Sequence, residues 1–165
     1  MLTLYTDTDT DITPAVAAEY GYKLISMPYS VDAKTVYPYV DFTEFDARSF
    51  YDMLRNGVLP TTSAISKERY IEYFEPELAA GNDILYVHFS RAMTVTFNAM
   101  DEAVAELRAK YPGRRFEEID TKGITTISYA IVRAVGDLSK AGKTLDEIQK
   151  TVWRMLPRES GFRII

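Results

Sequence analysis

The stretch TDTDTDIT, Thr6 to Thr13, sets three carboxylates at alternate positions, Asp7, Asp9 and Asp11, with hydroxyls between them. That alternation suits three kinds of chemistry: holding a hard cation, starting a phosphoryl transfer, or capping backbone N–H groups where the chain turns. A calcium loop beginning D-x-D-x-D needs glycine at its sixth position and glutamate at its twelfth. Counted from Asp7, those places hold Ile12 and Ala18, which excludes it. Three more hydroxyl-rich turns follow: PTTSAIS at Pro60 to Ser66, SRAMTVTF at Ser90 to Phe97, and IDTKGITTIS at Ile119 to Ser128. Hydroxyls beside helix N-terminal amides suit an anion such as a carboxylate or phosphate. The sole histidine, His88, lies in a strand pattern and reads as a packed core residue rather than a base. No G-x-S-x-G elbow is present for a serine nucleophile.

The elements that must position these turns alternate between two periods. Apolar runs of strand length stand at Leu2–Tyr5, Leu24–Tyr29, Ile84–Phe89 and Phe116–Ile119, with a weaker one at Val36–Val40. Helical spacing puts Phe50, Met53 and Leu54 on one face, and Tyr70, Tyr73, Phe74 and Leu78 on another. It does the same for Met100, Val104, Leu107 and Tyr111. Thr13 before Pro14 reads as an N-cap with proline at the first helical position. Gly21 reads as the stop of that helix, and Pro112 with Gly113 as the stop of the long one. Strand–helix alternation predicts an α/β fold, a mainly parallel sheet with helices on both faces. In such a sheet the loops after the strands gather at one edge. Asp7, Ser90, Thr94 and Asp120 then share that edge, and Thr62 and Ser63 reach it on a long connection. Arg91 and Lys122 are candidates for adding charge there, though each alone reads as an exposed loop residue.

Composition narrows the partners. The 165 residues fit one domain, 47% hydrophobic and 26% charged, with net charge −5. No stretch gathers the Lys and Arg that a nucleic-acid surface requires. With no cysteine, disulfides, thiolate metal sites and thiol nucleophiles are excluded, and a cytoplasmic location is consistent. No apolar run reaches the length of a membrane span, and the N-terminus lacks the basic and apolar regions of a signal peptide. The chain ends in RESGFRII, an apolar, β-prone run. It reads as a fragment whose next domain is missing, with a final edge strand as the alternative.

Asp7 and Asp9 also fit the D-x-D of a Mg²⁺-dependent phosphatase of haloacid dehalogenase type, as nucleophile and general acid. Ser90 stands where that family has a hydroxyl. The paired acids that would hold Mg²⁺ are not found: Asp120 stands alone before Thr121 and Lys122. Taken by itself, the acidic stretch favours capping.

Taken together, the four turns resemble the N-terminal domain of the DegV family of bacterial fatty-acid-binding proteins. That family begins T-D-S-T-[AS]-D-[LI], where Thr6, Asp7, Thr8, Asp9, Thr10, Asp11 and Ile12 stand here. Its P-x-T-S-Q-P-S is matched by PTTSAIS, its S-S-x-L-S-G-T-Y by SRAMTVTF, and its strand ending in D-[ST] by Asp120 and Thr121. Order and spacing agree across nearly the whole chain, residues 1–165. The resemblance implies a fatty acid as ligand with no further cofactor. It implies a carboxylate held by the hydroxyls of Thr62, Ser63 and Thr94, and a second, C-terminal domain. In some members the acid is presented to a separate fatty acid kinase subunit. It thus implies a binder rather than an enzyme. Several positions depart from the pattern. Ala64 and Ile65 replace Gln-Pro, Arg91 replaces a serine, Val95 replaces a glycine, and Ile127 and Tyr129 occupy the glycine places of the last motif. These bulky side chains are expected to narrow the pocket or change its small ligand. Three functions therefore stand open: a fatty acid binder, a phosphatase, or a domain that has lost its ligand.

Overall fold

The computed structural model describes residues 1–156. In chain order its elements are β1 (Leu2–Asp7), α1 (Pro14–Tyr20), β2 (Tyr22–Ile25), β3 (Tyr29–Val31), β4 (Lys34–Val36) and α2 (Ala47–Arg55). There follow β5 (Thr61–Thr62), α3 (Lys67–Ala79), β6 (Asp83–His88), α4 (Thr96–Lys110), β7 (Phe116–Asp120), α5 (Thr126–Lys140) and α6 (Leu145–Trp153). Among the described residues, the strands form a four-stranded parallel sheet in the order β2-β1-β6-β7 and a three-stranded antiparallel one in the order β4-β3-β5.

Side chains alternate across a strand, so each central strand feeds two cores. Tyr5, Ile84, Tyr86 and Phe116 pack against α3 and α4 through Tyr70, Phe74, Phe97, Met100 and Leu107. Leu4, Leu85, Val87 and Ile119 face the other way, onto α1, α5 and α6 through Ala17, Tyr20, Val132, Val135 and Ile148. This is the expected α/β layer arrangement. Thr13 caps α1 by accepting from the Val16 N–H, Pro14 sits at its first turn, and Gly21 closes it at φ 73°. Only glycine takes that left-handed conformation without steric cost. Gly136 serves a different need. A Cβ there would lie 2.4 Å from the Tyr20 ring, so glycine lets α5 approach α1.

Several expectations shift. The run Leu24–Tyr29 is not one strand: β2 ends at Ile25 and β3 starts at Tyr29, in the other sheet. Between them the Met27 N–H is diverted to Thr8 Oγ1 (2.9 Å), the Ser26 hydroxyl to the Pro38 carbonyl (2.7 Å), and Pro28 has no N–H to give. Val36–Val40 is strand only as far as Val36. The Tyr37 N–H then donates to Asp41 Oδ2, and the Val40 and Asp41 N–H groups donate back to the Tyr37 carbonyl, making a turn. On α2, the stripe of Phe50, Met53 and Leu54 is only half-buried. Helices α5 and α6 had no counterpart in the sequence reading, although Thr144 and Glu147 form a reciprocal capping box at the start of α6. The apolar, β-prone run at 158–165, for which a final edge strand is the alternative to a break before a further domain, lies outside the described residues.

Candidate functional site

The acidic stretch begins where β1 ends. Asp7 is fully buried. Its Oδ1 accepts from the Asp9 N–H at 3.1 Å, and its Oδ2 accepts from the Tyr86 hydroxyl at 3.0 Å and the Phe89 N–H at 3.3 Å. Asp7 thus caps a short 3-10 turn, Thr8 to Thr10, and ties it to the neighbouring strand. Thr10 donates to the Asp7 carbonyl at 2.7 Å, and Asp11 closes the turn in a left-handed conformation at φ 58°. Burial, and then the nearby Asp9 charge, push the Asp7 carboxyl up to about 7 against the opposing pull of His88, Tyr86 and the Phe89 N–H. A nucleophile must reach its substrate, and Asp7's enclosure counts against the phosphatase reading. Among the described residues, no three His, Cys, Asp or Glu side chains converge to hold a metal ion.

Beyond this turn lies a cleft of about 550 Å³, within the ~300–1,000 Å³ usual for small-ligand sites. One side is the main sheet's edge, with Thr8, Asp9 and Asp11 from the turn and Phe89, Met93, Thr94 and Val95 from the loop after β6. The rest of the lining includes Tyr29 on β3, Tyr39, Phe42 and Phe45 in the connection between β4 and α2, and Phe50 on α2. These rings lean edge-on or tilted against one another, Tyr39–Phe42 at 5.7 Å, Phe45–Phe50 at 5.3 Å and Tyr29–Phe50 at 6.0 Å between centroids.

The fold brings together some of the sequence candidates. Thr62, Ser63 and Thr94 all line the cleft. Thr62 is exposed on β5. The Ser63 N–H donates to the Pro28 carbonyl, and its hydroxyl shares a 3.0 Å bond with that of Ser30. Thr94 Oγ1 accepts from the Thr96 N–H at 3.2 Å, leaving its proton free to donate. Asp7, Ser90 and Asp120 do not line it. Asp7 lies beneath the turn. Ser90 accepts from the Ala92 N–H, and its own N–H donates to the Gly123 carbonyl. Asp120 accepts from the Lys122 N–H at 2.8 Å. Arg91 supplies no charge to the cleft: it makes a two-pronged pair with Asp101, bonds Glu118 at 2.7 Å and lies over the Phe97 ring. Ile127 and Tyr129, expected to narrow the pocket, also stand off its lining, whereas Val95 lines it and is 74% exposed. His88 is a buried core residue, its ring tilted against Phe97 at 4.3 Å between centroids, with Nδ1 bonded to the Phe89 carbonyl.

Sequence reading missed the aromatic wall and the carboxylates of Asp9 and Asp11 as cleft residues. The available signal was the density of rings between Tyr37 and Phe50, which follows neither helical nor strand period.

A model of a family described as "Uncharacterised protein, DegV family" matches residues 1–164. A DegV domain-containing protein of Clostridium perfringens is 29% identical over 149 residues, 90% of this chain and 51% of that protein. Another, from Caldanaerobacter subterraneus, is 24% identical over 99% of this chain and 56% of its own length. The chain thus spans about half the length of these relatives. Among solved structures, a stearic acid-binding protein from Eubacterium ventriosum superposes with TM-score 0.82 at 16% identity, covering 92% of this chain and 52% of that one. A DegV family protein from Thermus thermophilus, described by its fatty acid binding, superposes with TM-score 0.78 at 21% identity, covering 93% and 52%.

Proposed function

The chain belongs to the DegV family, and from that premise we propose that it binds a fatty acid in the cleft between the main sheet's edge and the aromatic wall. One observation carries this reading: the hydroxyls of Thr62, Ser63 and Thr94 share a single cleft with a continuous run of rings. A carboxylate leaving water needs several donors, and an acyl chain needs an apolar slot. Thr62 has no side-chain hydrogen bond to any described residue, so it is free to donate. The solved relatives named above bind fatty acids, which supports the same ligand class.

In this reading the protein is a carrier rather than a catalyst, working in the cytoplasm. The part of the relatives that this chain does not cover supplies a second domain that closes the cleft, and the held carboxylate is offered to a separate ATP-using kinase subunit. Calorimetric titration with tetradecanoic acid tests the site. Removing the hydroxyl in Thr62→Ala deletes a bond to a charged group, worth ~1.5–3 kcal/mol, and weakens binding roughly ten-fold or more. Unchanged affinity would remove Thr62 from the site.

A further inference from the structure

The hydroxyls of the cleft come from two separate parts of the chain, Thr62 and Ser63 at the end of β5 and Thr94 just before α4. The first pair is held by the small sheet: Thr62 pairs with Tyr29, and the Ser63 N–H donates to the Pro28 carbonyl at 3.0 Å. Thr94 belongs to the main body. Donors on two such elements keep a fixed spacing only where something ties the elements together.

Thr96 makes that tie. It is the first residue of α4, 1% exposed, and does not itself line the cleft. Its backbone N–H donates to Thr94 Oγ1 at 3.2 Å, and its own Oγ1 accepts from the Ile65 N–H at 2.9 Å. The Tyr70 hydroxyl lies 3.4 Å from the same oxygen. Ile65 follows Ser63 by two residues and is itself buried. A buried N–H without an acceptor is costly, which keeps Ile65 on Thr96. A hydroxyl that accepts from an amide also donates more strongly, because bonds in a chain polarise one another. The tie depends on the residue at 65: a proline there, as in the family pattern, has no N–H to give.

We propose that Thr96 is a positioning residue for the ligand's carboxylate: through Ile65 on one side and Thr94 on the other, it sets the spacing of the two groups of hydroxyls without touching the ligand. The inference rests on the fatty-acid reading above. A carboxylate is small and rigid, and a site whose supporting contacts let its donors drift by ~1 Å loses function.

Calorimetric titration with tetradecanoic acid provides the test. It compares the unaltered protein with Thr96→Val, which keeps the shape and removes the hydroxyl, and with Thr96→Ser, which keeps the hydroxyl. Thr96→Val should weaken binding about five-fold or more, and Thr96→Ser should hold affinity within about two-fold. Thr96→Val is then repeated on Ile65→Pro, where the bond is already absent, and there it should change affinity by less than about two-fold. A residue that only supports the fold would lower the urea midpoint and leave the affinity of the folded protein unchanged. Unchanged affinity in Thr96→Val, an equal loss on Ile65→Pro, or no rescue by Thr96→Ser would overturn the inference and leave the fatty-acid reading intact. Should a variant fail to fold, hydrogen exchange of the Ile65 amide in the unaltered protein decides. Saturation with the acid should slow it several-fold, and an unchanged rate would mean that the bond opens with the acid in place, which overturns the inference. Failure of the unaltered protein to bind the acid would overturn the fatty-acid reading, and this one with it.

Discussion

Phe74 and Phe45 are the same residue type in different physical situations. Phe74 is fully enclosed by Tyr5, Tyr70, Tyr86 and Phe116 between α3 and the main sheet, with ring centroids 4.8–5.8 Å apart. Phe45 leans on Phe42 and Phe50 yet stays 43% exposed. The difference extends to whole regions. Each face of the four-stranded sheet buries a contiguous core, whereas every residue from 29 to 64 keeps some exposure. The body therefore holds its geometry by burial. The segment carrying β3, β4, α2 and β5 holds its rings against one another and leaves their remaining apolar surface open to the cleft. A region with few buried contacts opens at lower free energy than one with a dense core, which suits the wall of a site that must admit a long molecule.

Substitutions can separate the two regions by size of effect. Phe74→Ala should cost ~3–5 kcal/mol of stability, the range for emptying a core aromatic site. Urea unfolding should show a much lower midpoint or no cooperative transition. Gly136→Ala comes next: its methyl would sit 2.4 Å from the Tyr20 ring, and overpacking of this kind costs ~1–3 kcal/mol. The same unfolding curve should shift while the cleft, which no α5 residue lines, keeps its affinity.

A pH effect also belongs to the body. Asp7 sits at about 7 when folded, raised by burial, against ~3.9 in an unfolded chain. The folded state then holds the proton over a window where the unfolded state has lost it. This contribution is complete below the unfolded value and disappears as pH rises through 7. Glu77 and Glu118, held down at about 2, act only at more acid pH. Calorimetric melting should thus give a Tm at pH 5 above that at pH 8 by at least ~2–4 °C, the shift for about 1 kcal/mol in a chain of this size. The smallest expected change in stability is that of Phe45→Ala, within ~0.5 kcal/mol because the residue is exposed and lies outside both cores. Its fatty-acid affinity should nevertheless fall roughly five-fold, about 1 kcal/mol of lost apolar cover. A large loss of stability would show that the aromatic wall is itself a core.

The body was legible in the sequence because its periods are regular. Tyr70, Phe74 and Leu78 recur at helical spacing on α3, and the Leu2–Tyr5, Ile84–Phe89 and Phe116–Ile119 runs became parallel strands. The cleft was legible only in part. Thr62, Ser63 and Thr94 line the cleft; hydroxyl-rich turns marked their places, and the family resemblance singled them out among the candidates. Asp7, Ser90 and Asp120 carried the same signal but spend their side chains on local N–H groups, a distinction that depends on which direction the turn takes. The aromatic wall gave no period at all. Its rings sit in turns and on a half-buried helix, placed by Pro28, Pro38 and a short antiparallel hairpin rather than by repeating burial.

The central claim is that a fatty acid lies between these two regions, touching the rim of the one and the wall of the other. The most direct test is a titration of the isotope-labelled protein with tetradecanoic acid, followed through its assigned backbone amides by NMR. The account predicts the largest shifts at Asp9, Thr62, Ser63 and Thr94 and along Phe42 to Phe50, with α5 and α6 nearly silent. Shifts concentrated on α5 and α6, or a body that responds while residues 29–64 do not, would contradict it.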